Sequence, residues 1–374
     1  MRDATESPAP ALAPVPPMGW MSWNAFGRDL SEESVLQNAD AMVRLGLRDV
    51  GYEYVCLDDH WHGRRGTDGR LRADPVRFPR GIAAVAEELH SRGLKLGIYT
   101  CAGSLTCGGE PGSVGFEMLD ASTFAEWGVD YVKDDYCHAP PERDAAIERY
   151  ARMGEALQAT GRAIVFAVCE WGERAPWEWA PSVGASLWRI GPDIRDAWWG
   201  AGGIQAIADL AETLGEWASP GRWNDPDMLV AGLRGRSRAG AAGVIGCTDA
   251  EYRTQLSLWA MLAAPFFASS DLRHADAATI GMLAAPGVIA IDQDPLGSPA
   301  RRRQRIGSVD IWERALAGKE RAISVLNRGN ERVTIQLDWP HEHGAQIDVT
   351  DAWSAQQVHT TSQVVRLEPH STAL

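Results

Sequence analysis

Basic residues are the minority charge in this 374-residue chain: 36 Lys and Arg stand against 50 Asp and Glu, a net charge of −14. An acidic surface repels phosphate backbones, and the one basic run, Arg301-Arg302-Arg303, reads as a solvated loop, so nucleic acid is not expected as a partner. No apolar run approaches the roughly 20 residues of a membrane span. Met1 to Pro17 is rich in Ala and Pro but lacks the apolar centre of a signal peptide. The expectation is a cytoplasmic protein, or a secreted one whose leader is gone. Six cysteines do not make a disulfide scaffold in a chain of this length. None forms a CxxC pair and no His/Cys set has zinc-ligand spacing, which predicts no metal. GxSxG and phosphate-cradling Gly-rich loops are missing as well, so no Ser-His-Asp hydrolase and no cofactor is expected.

What is present is a large apolar fraction, 45%, and sixteen tryptophans against seven tyrosines and seven phenylalanines. Charges also stand where a buried strand should have none. Val129, Tyr131 and Val132 have strand character, and the strand runs into Lys133, Asp134 and Asp135. Taken singly, that reads as a strand leaving for solvent. The pattern recurs, however: Asp58-Asp59-His60-Trp61 follows Tyr54-Val55-Cys56, Tyr99 follows Leu96-Gly97-Ile98, and Glu170-Trp171 follows Ile164 to Cys169. Trp188-Arg189 leads to Asp193, and Trp223-Asn224 leads to Asp227. The (β/α)8 barrel collects parallel strand ends into one pocket. Trp20, Trp23, Trp61, Trp171, Trp188 and Trp223 lie beside these polar groups, and flat rings next to carboxylates suit sugar rings. Trp127, Trp217 and Trp259 read as core.

Along the chain, residues 1–14 read as a flexible leader, 15–297 as the α/β barrel, and 298–374 as an antiparallel β-sandwich module. Ser31 caps a helix bearing Val35, Leu36, Ala39, Met42 and Val43 on one stripe. Further helices are predicted over 79–91, 121–127, 142–159 and 249–264, several stopped by Gly before an apolar strand. Residues 265–270 fit the eighth strand. Beyond Asp294 the helical period gives way to short alternating runs such as Ala322 to Leu326 and Val333 to Leu337. That module carries no clustered chemistry and reads as a structural appendage.

A barrel mouth with many carboxylates and little else fits glycoside hydrolysis, which needs one carboxyl to attack or activate water and another to protonate the leaving oxygen. The blocks Met18-Gly19-Trp20-x-Ser22-Trp23-Asn24, Leu57-Asp58-Asp59-x-Trp61, Lys133-x-Asp135-x-Cys137, Cys169-Glu170-Trp171-Gly172 and Trp223-Asn224-Asp225-Pro226-Asp227 resemble the family-27 glycoside hydrolases, from about Pro16 to the end. The resemblance implies retaining cleavage of a terminal alpha-linked galactose from a small carbohydrate. It implies Asp135 as nucleophile and Asp193 as acid/base, with Asp196 close by in the chain. Asp58 and Asp59 match the grip on the 4- and 6-hydroxyls. Lys133 matches a sugar contact that keeps the nucleophile charged, and Arg189 and Asp227 match contacts on the 2- and 3-hydroxyl side. Trp23 and Tyr99 match the pocket wall, and Cys107 and Cys137 match a disulfide beside the sugar. Glu170 and Trp171 match the wall that excludes a 2-acetamido group.

Two departures stand out. Asp134 replaces the commoner Tyr before the nucleophile. Strand residues alternate faces, so it should point to the helix layer or a rim ion pair. His60 and Ala185 stand where some relatives have Cys, which favours a reducing compartment. Rival readings are a beta-L-arabinopyranosidase and an alpha-N-acetylgalactosaminidase; Asp59 in place of Glu argues against the first, and bulky Glu170 against the second. A sugar-binding barrel without catalysis would have lost one of the two carboxylates. A homo-oligomer is compatible with the sequence.

Overall fold

The computed structural model describes residues 12–237, 245–338 and 346–374. The flexible-leader reading falls mainly on residues outside this range. Ala13 is buried, and its carbonyl accepts a hydrogen bond from Trp223 Nε1 at 2.8 Å, so the anchored chain begins before residue 15.

Eight strands form a parallel sheet: β1 Met18–Met21, β2 Tyr54–Leu57, β3 Lys95–Cys101, β4 Tyr131–Asp135, β5 Val165–Cys169, β6 Leu187–Arg189, β7 Trp223–Asp225 and β8 Phe266–Ala268. Their order runs from β7 down to β1 and on to β8. The ring closes just beyond β7, where Leu229 pairs in parallel with Ala268 and its N–H donates to the Phe267 carbonyl at 2.8 Å. The strands are buried nearly throughout, as a sheet covered on both faces requires. The helix Glu32–Arg44 opens on the Ser31 cap: Ser31 Oγ accepts from the Ser34 N–H, and the Ser31 N–H donates back to Ser34 Oγ. The predicted helices appear as Ile82–Ser91, Glu117–Glu126, Arg143–Ala159 and Asp249–Met261. Between β5 and β6 there are only two short 3-10 turns, Pro176–Glu178 and Ala180–Val183.

The second module forms β9 Arg301–Ile306, β10 Val309–Ala315, β11 Arg321–Asn327, β12 Val333–Asp338, β13 Ile347–Thr350, β14 Gln357–Thr360, β15 Ser362–Leu367 and β16 Thr372–Ala373. Strands β16, β11, β10 and β9 make one antiparallel sheet; β12 pairs with β15 and β13 with β14. Arg301 to Arg303 are therefore strand, not loop. Sequence period misses them because Arg302, the middle one, is held by acids across a domain boundary. Arg302 meets Asp209 at 2.9 Å, Glu212 at 3.1 Å and Asp310 at 3.2 Å. Arg328 meets Asp209 and Asp310. Asp209 and Glu212 lie on the barrel helix Ile204–Thr213, so this network binds the two modules together. Trp312 and Leu326 also join the barrel's apolar core.

The tryptophan reading needs correction. Trp20, Trp61, Trp188 and Trp223 are fully buried, with their indole N–H groups bonded to Ser270 O, Tyr99 O, Asn224 Oδ1 and Ala13 O. A ring near a carboxylate in sequence faces inward if its N–H finds a partner in the core. Trp23 and Trp171 are half-buried, and Trp217, read as core, is partly exposed.

Asp134 points away from the pocket as alternation requires. It sits among the helices that cover β4, near Glu117 and Asp120, and makes no ion pair among the described residues. Both carboxylate oxygens are buried without a hydrogen-bond partner. Burial, then the charges of Asp135, Glu117 and Asp120, push its pKa well above the usual range. A carboxyl with a raised folded-state pKa binds its proton more tightly than the unfolded chain does. Its contribution is therefore most favourable below the unfolded pKa of about 3.9 and is lost as pH rises through the folded value. Asp134→Asn is expected to raise the thermal unfolding midpoint at pH 7 by roughly 2–4 °C, with a smaller gain near pH 4. Calorimetry at the two pH values checks this; an equal gain at both would place the effect elsewhere.

Candidate active site

The C-terminal ends of the strands bring the predicted residues together. Asp135 closes β4 and is buried. Its Oδ2 accepts from the Tyr99 hydroxyl at 2.9 Å, and its Oδ1 from the Tyr136 N–H at 2.9 Å. Tyr99 lies opposite Lys133 in the β3–β4 register. Burial and the Asp135 charge push the Tyr99 phenol far up, so it keeps the proton it donates. Cys107 and Cys137 form a disulfide with a Cα separation of 5.1 Å, and Cys107 Sγ lies 3.2 Å from Asp135 Oδ2. The expected bridge thus forms one wall of the cage around Asp135.

Lys133 does not contact Asp135 directly. Its Nζ donates to Asp58 Oδ2 at 2.8 Å, and its charge reaches Asp135 only through space. Burial raises the Asp135 pKa, the Lys133 charge opposes it, and burial wins: the value is pushed up to about 6. The expected lowering by Lys133 is present, but it does not decide the value, because sequence proximity gave the charge and not the desolvation that outweighs it.

Asp58 and Asp59 both sit at the mouth of β2, but with different tasks. Asp58 faces Lys133. Asp59 accepts from the His60 N–H and the Gly108 N–H, each at 2.7 Å. A Cβ at Gly108 would meet His60 Cε1 at 2.2 Å and Asp59 Oδ2 at 2.8 Å, so any other residue there would displace these two side chains. Trp23 stacks on His60 at 6.1 Å. A cavity of about 650 Å³ is lined by Trp23, Phe26, His60, Cys107 and Gly108, among others.

Arg189, at the end of β6, bridges two acids. Its Nη2 meets Asp193 Oδ1 at 2.6 Å and Asp227 Oδ2 at 2.5 Å. Asp227, whose φ of 78° lies in the left-handed region, also accepts from the Ile194 N–H at 2.8 Å. This pins the β6 loop to the β7 loop. Burial raises the Asp227 pKa to about 6 against the pull of Arg189. Asp193 is different: its side chain is 66% exposed, so burial pushes it up only partly, and Arg189 with Lys133 holds it below the usual range. Asp196 is no rival. It is buried and saturated by the Gly235 and Cys247 N–H groups and the Tyr252 hydroxyl. Trp23, Asp193, Trp199 and Asp227 help to line a second cavity of about 480 Å³, with Trp23 shared between the two.

Glu170 departs from its expected placement. It is fully buried, with Oε2 at 3.0 Å from Arg174 Nη1 and Oε1 unpartnered. Burial raises its pKa and Arg174 lowers it. A side chain with no accessible surface backs the wall and does not line the open cavity. Trp171 and Gly172 are both left-handed, and a Cβ on Gly172 would lie 2.0 Å from the Ile190 carbonyl, so the β5 loop packs tightly on the β6 loop. Arg174, which also lies over the Tyr136 ring at 4.6 Å, was missed in the sequence. Its spacing of four from Glu170 is the signal that could have found it. Gly108 and Trp199 were missed because loop contacts have no period.

The family model described as alpha galactosidase A matches residues 15–294, and that of the alpha galactosidase C-terminal beta sandwich domain matches 306–374. The chain is 41% identical to alpha-galactosidase A of Cellvibrio japonicus, over 88% of this chain and 80% of that one. It is similar to the crystal structure of a putative alpha-galactosidase/melibiase from Bacteroides fragilis, with TM-score 0.92 and 46% identity over 97% of this chain and 78% of the other. A third likeness is the alpha-galactosidase of Saccharomyces cerevisiae solved with raffinose, with TM-score 0.84 and 26% identity over 98% of each chain. With a (β/α)8 barrel, a β-sandwich and both family models in sequence order, the chain belongs to the alpha-galactosidase A family of glycoside hydrolases.

Proposed function

We propose that this protein removes terminal alpha-linked D-galactose from oligosaccharides with retention of configuration, using Asp135 as nucleophile and Asp193 as acid/base. The observation that carries this is the asymmetry of the two carboxyls. Asp135 is enclosed, with one oxygen held by Tyr99 and the other by Tyr136, while Asp193 is open at the rim. A nucleophile must be fixed against the anomeric carbon; an acid/base must reach the leaving oxygen and then water. Asp135 attacks C1 as Asp193 gives its proton to the departing oxygen. Water then attacks C1 of the ester, Asp193 takes its proton, and Asp135 leaves. The relatives' activities and the raffinose bound to the yeast enzyme support the sugar assigned here. The fixed, short Asp59 supports galactose over arabinopyranose, since it leaves room for a 6-hydroxymethyl group.

Asp135→Asn keeps shape and removes the attacking oxygen. Turnover of nitrophenyl alpha-galactoside is expected to fall roughly 10³-fold or more with galactose binding retained; a variant keeping a tenth of the rate would sink the assignment. Proton NMR of the first-formed sugar should show the alpha anomer, whereas the beta anomer means inversion.

The pH profile has a definite sign. Alpha-galactosyl fluoride needs no acid at its leaving group, so its kcat/KM reports the ionised nucleophile. It should rise with pH up to about 6 and level off above, following the raised Asp135 value. A plateau extending down to pH 4 would mean that the burial argument fails.

Glu170→Ser with Glu173→Ala removes the backing of the β5 wall. The ratio of alpha-N-acetylgalactosaminidase to alpha-galactosidase activity should rise. The ratio is the measure because Arg174 pairs with both acids, and losing both costs stability too. An unchanged ratio would mean that the wall does not select the 2-substituent.

A further inference from the structure

Trp198 and Trp199 are adjacent in sequence and opposite in fate. Trp198 is buried, whereas Trp199 is 55% exposed and lines the same cavity as Asp193. The indole N–H of Trp199 makes no hydrogen bond among the described residues. A large flat ring left open beside a catalytic carboxyl, with a free polar handle, has the form of a ligand surface.

The loop is not free to move the ring away. Arg195 N–H donates to the Gly202 carbonyl at 2.8 Å, and Gly203 N–H to the Gly200 carbonyl at 2.9 Å, which closes the segment from Asp193 onward. His370, from the C-terminal module, stacks on Trp198 at 4.8 Å and 15° and meets Trp199 edge-on at 5.4 Å and 88°. His370 is itself fixed from both modules. Its Nδ1 lies 2.7 Å from Glu251 and its Nε2 2.9 Å from Asn330 Oδ1, and its carbonyl accepts from Thr254 Oγ1 at 2.7 Å.

We propose that Trp199 is the platform for the leaving group, taking a hexose ring joined to the galactose, and that His370 of the C-terminal module is the positioning residue that holds it there. This rests on the assignment of Asp193 as acid/base, since the leaving oxygen lies next to that carboxyl and the leaving sugar extends over the cavity beyond it. The sandwich therefore takes part in substrate choice through one side chain.

The test compares two substrates on the same enzyme. Melibiose departs with a hexose that reaches the platform; alpha-galactosyl fluoride departs with an ion that does not. The ratio of kcat/KM for melibiose to that for the fluoride should fall about tenfold in Trp199→Ala, as the loss of one stacked ring predicts, and less in Trp199→Phe. His370→Ala should lower the same ratio about threefold. Misfolding scales both rates by the same active fraction and cancels from the ratio, so the ratio reports the folded enzyme alone. A ratio that stays at the wild-type value, whether because neither rate falls or because both fall together, would overturn the proposal and reduce Trp199 to a loop support. Wild-type enzyme inert on both compounds would overturn the galactosidase reading itself.

Discussion

Two cations, Arg189 fully buried and Lys133 partly so, hold the pocket together. Five carboxylates, Asp58, Asp59, Asp135, Asp193 and Asp227, converge on the barrel mouth, and among the described residues Lys133 and Arg189 are the cations that pair with them directly, with Arg195 acting on Asp193 from the rim. Each cation is shared: Lys133 bonds Asp58 and acts through space on Asp135, and Arg189 bonds both Asp193 and Asp227. With more anions than cations, desolvation is left partly uncompensated, and Asp135 and Asp227 both rise to about 6. The same sharing fixes loop positions. Arg189 ties β6 to the loops bearing Asp193 and Asp227, and the Lys133–Asp58 pair ties β4 to β2. Removing either cation would leave a buried carboxylate, Asp58 or Asp227, without its counter-charge, a loss larger than the worth of the pair itself.

Backbone amides do the remaining work. Asp59, Asp135, Asp227 and Asp196 each accept from at least one main-chain N–H. An amide donor is fixed by the fold and has no side-chain entropy to lose, so such carboxylates are oriented before a ligand arrives. Strand ends and left-handed turns supply those donors, and the disulfide holds the β3 and β4 loops in register beside them.

How much of this was legible follows from what sequence carries. The barrel could be read because β-branched runs alternated with amphipathic helices and repeatedly ended in polar residues. Asp135, Asp58, Lys133 and Arg189 could be read because they are charges at the ends of apolar strands, and Asp134 because strand alternation sends neighbours to opposite faces. Burial could not be read. Trp20, Trp61, Trp188 and Trp223 sit next to acids in sequence yet face the core, since only the fold supplies partners for their N–H groups. Arg302 looked like a solvated charge because its acids, Asp209 and Glu212, lie some ninety residues away on a barrel helix. Arg174, Gly108 and Trp199 lie in loops, where contact is set by closure and no period marks it. The sandwich looked inert for the same reason: His370 is one residue reaching across a boundary.

On the roles proposed for them, Asp135 and Asp193 stand in an order opposite to that needed for reaction. Asp135 is raised to about 6 by burial, while Asp193 is held low by Arg189 in an exposed position. Hydrolysis of a poor leaving group needs Asp135 charged and Asp193 protonated. A sugar entering the pocket covers Asp193 and strips its water, which raises that carboxyl. Hydroxyls arriving at Arg189 compete for the guanidinium that keeps Asp193 charged. Hydroxyls arriving at Asp58 free part of the Lys133 charge, which then acts more fully on Asp135 and lowers it. For the proposed roles to be filled, the two values must move toward each other and cross as substrate binds. On that reading, proton placement depends on binding the sugar at its hydroxyls. A galactose lacking the groups that engage Asp58 or Arg189 would bind and still find the acid without its proton.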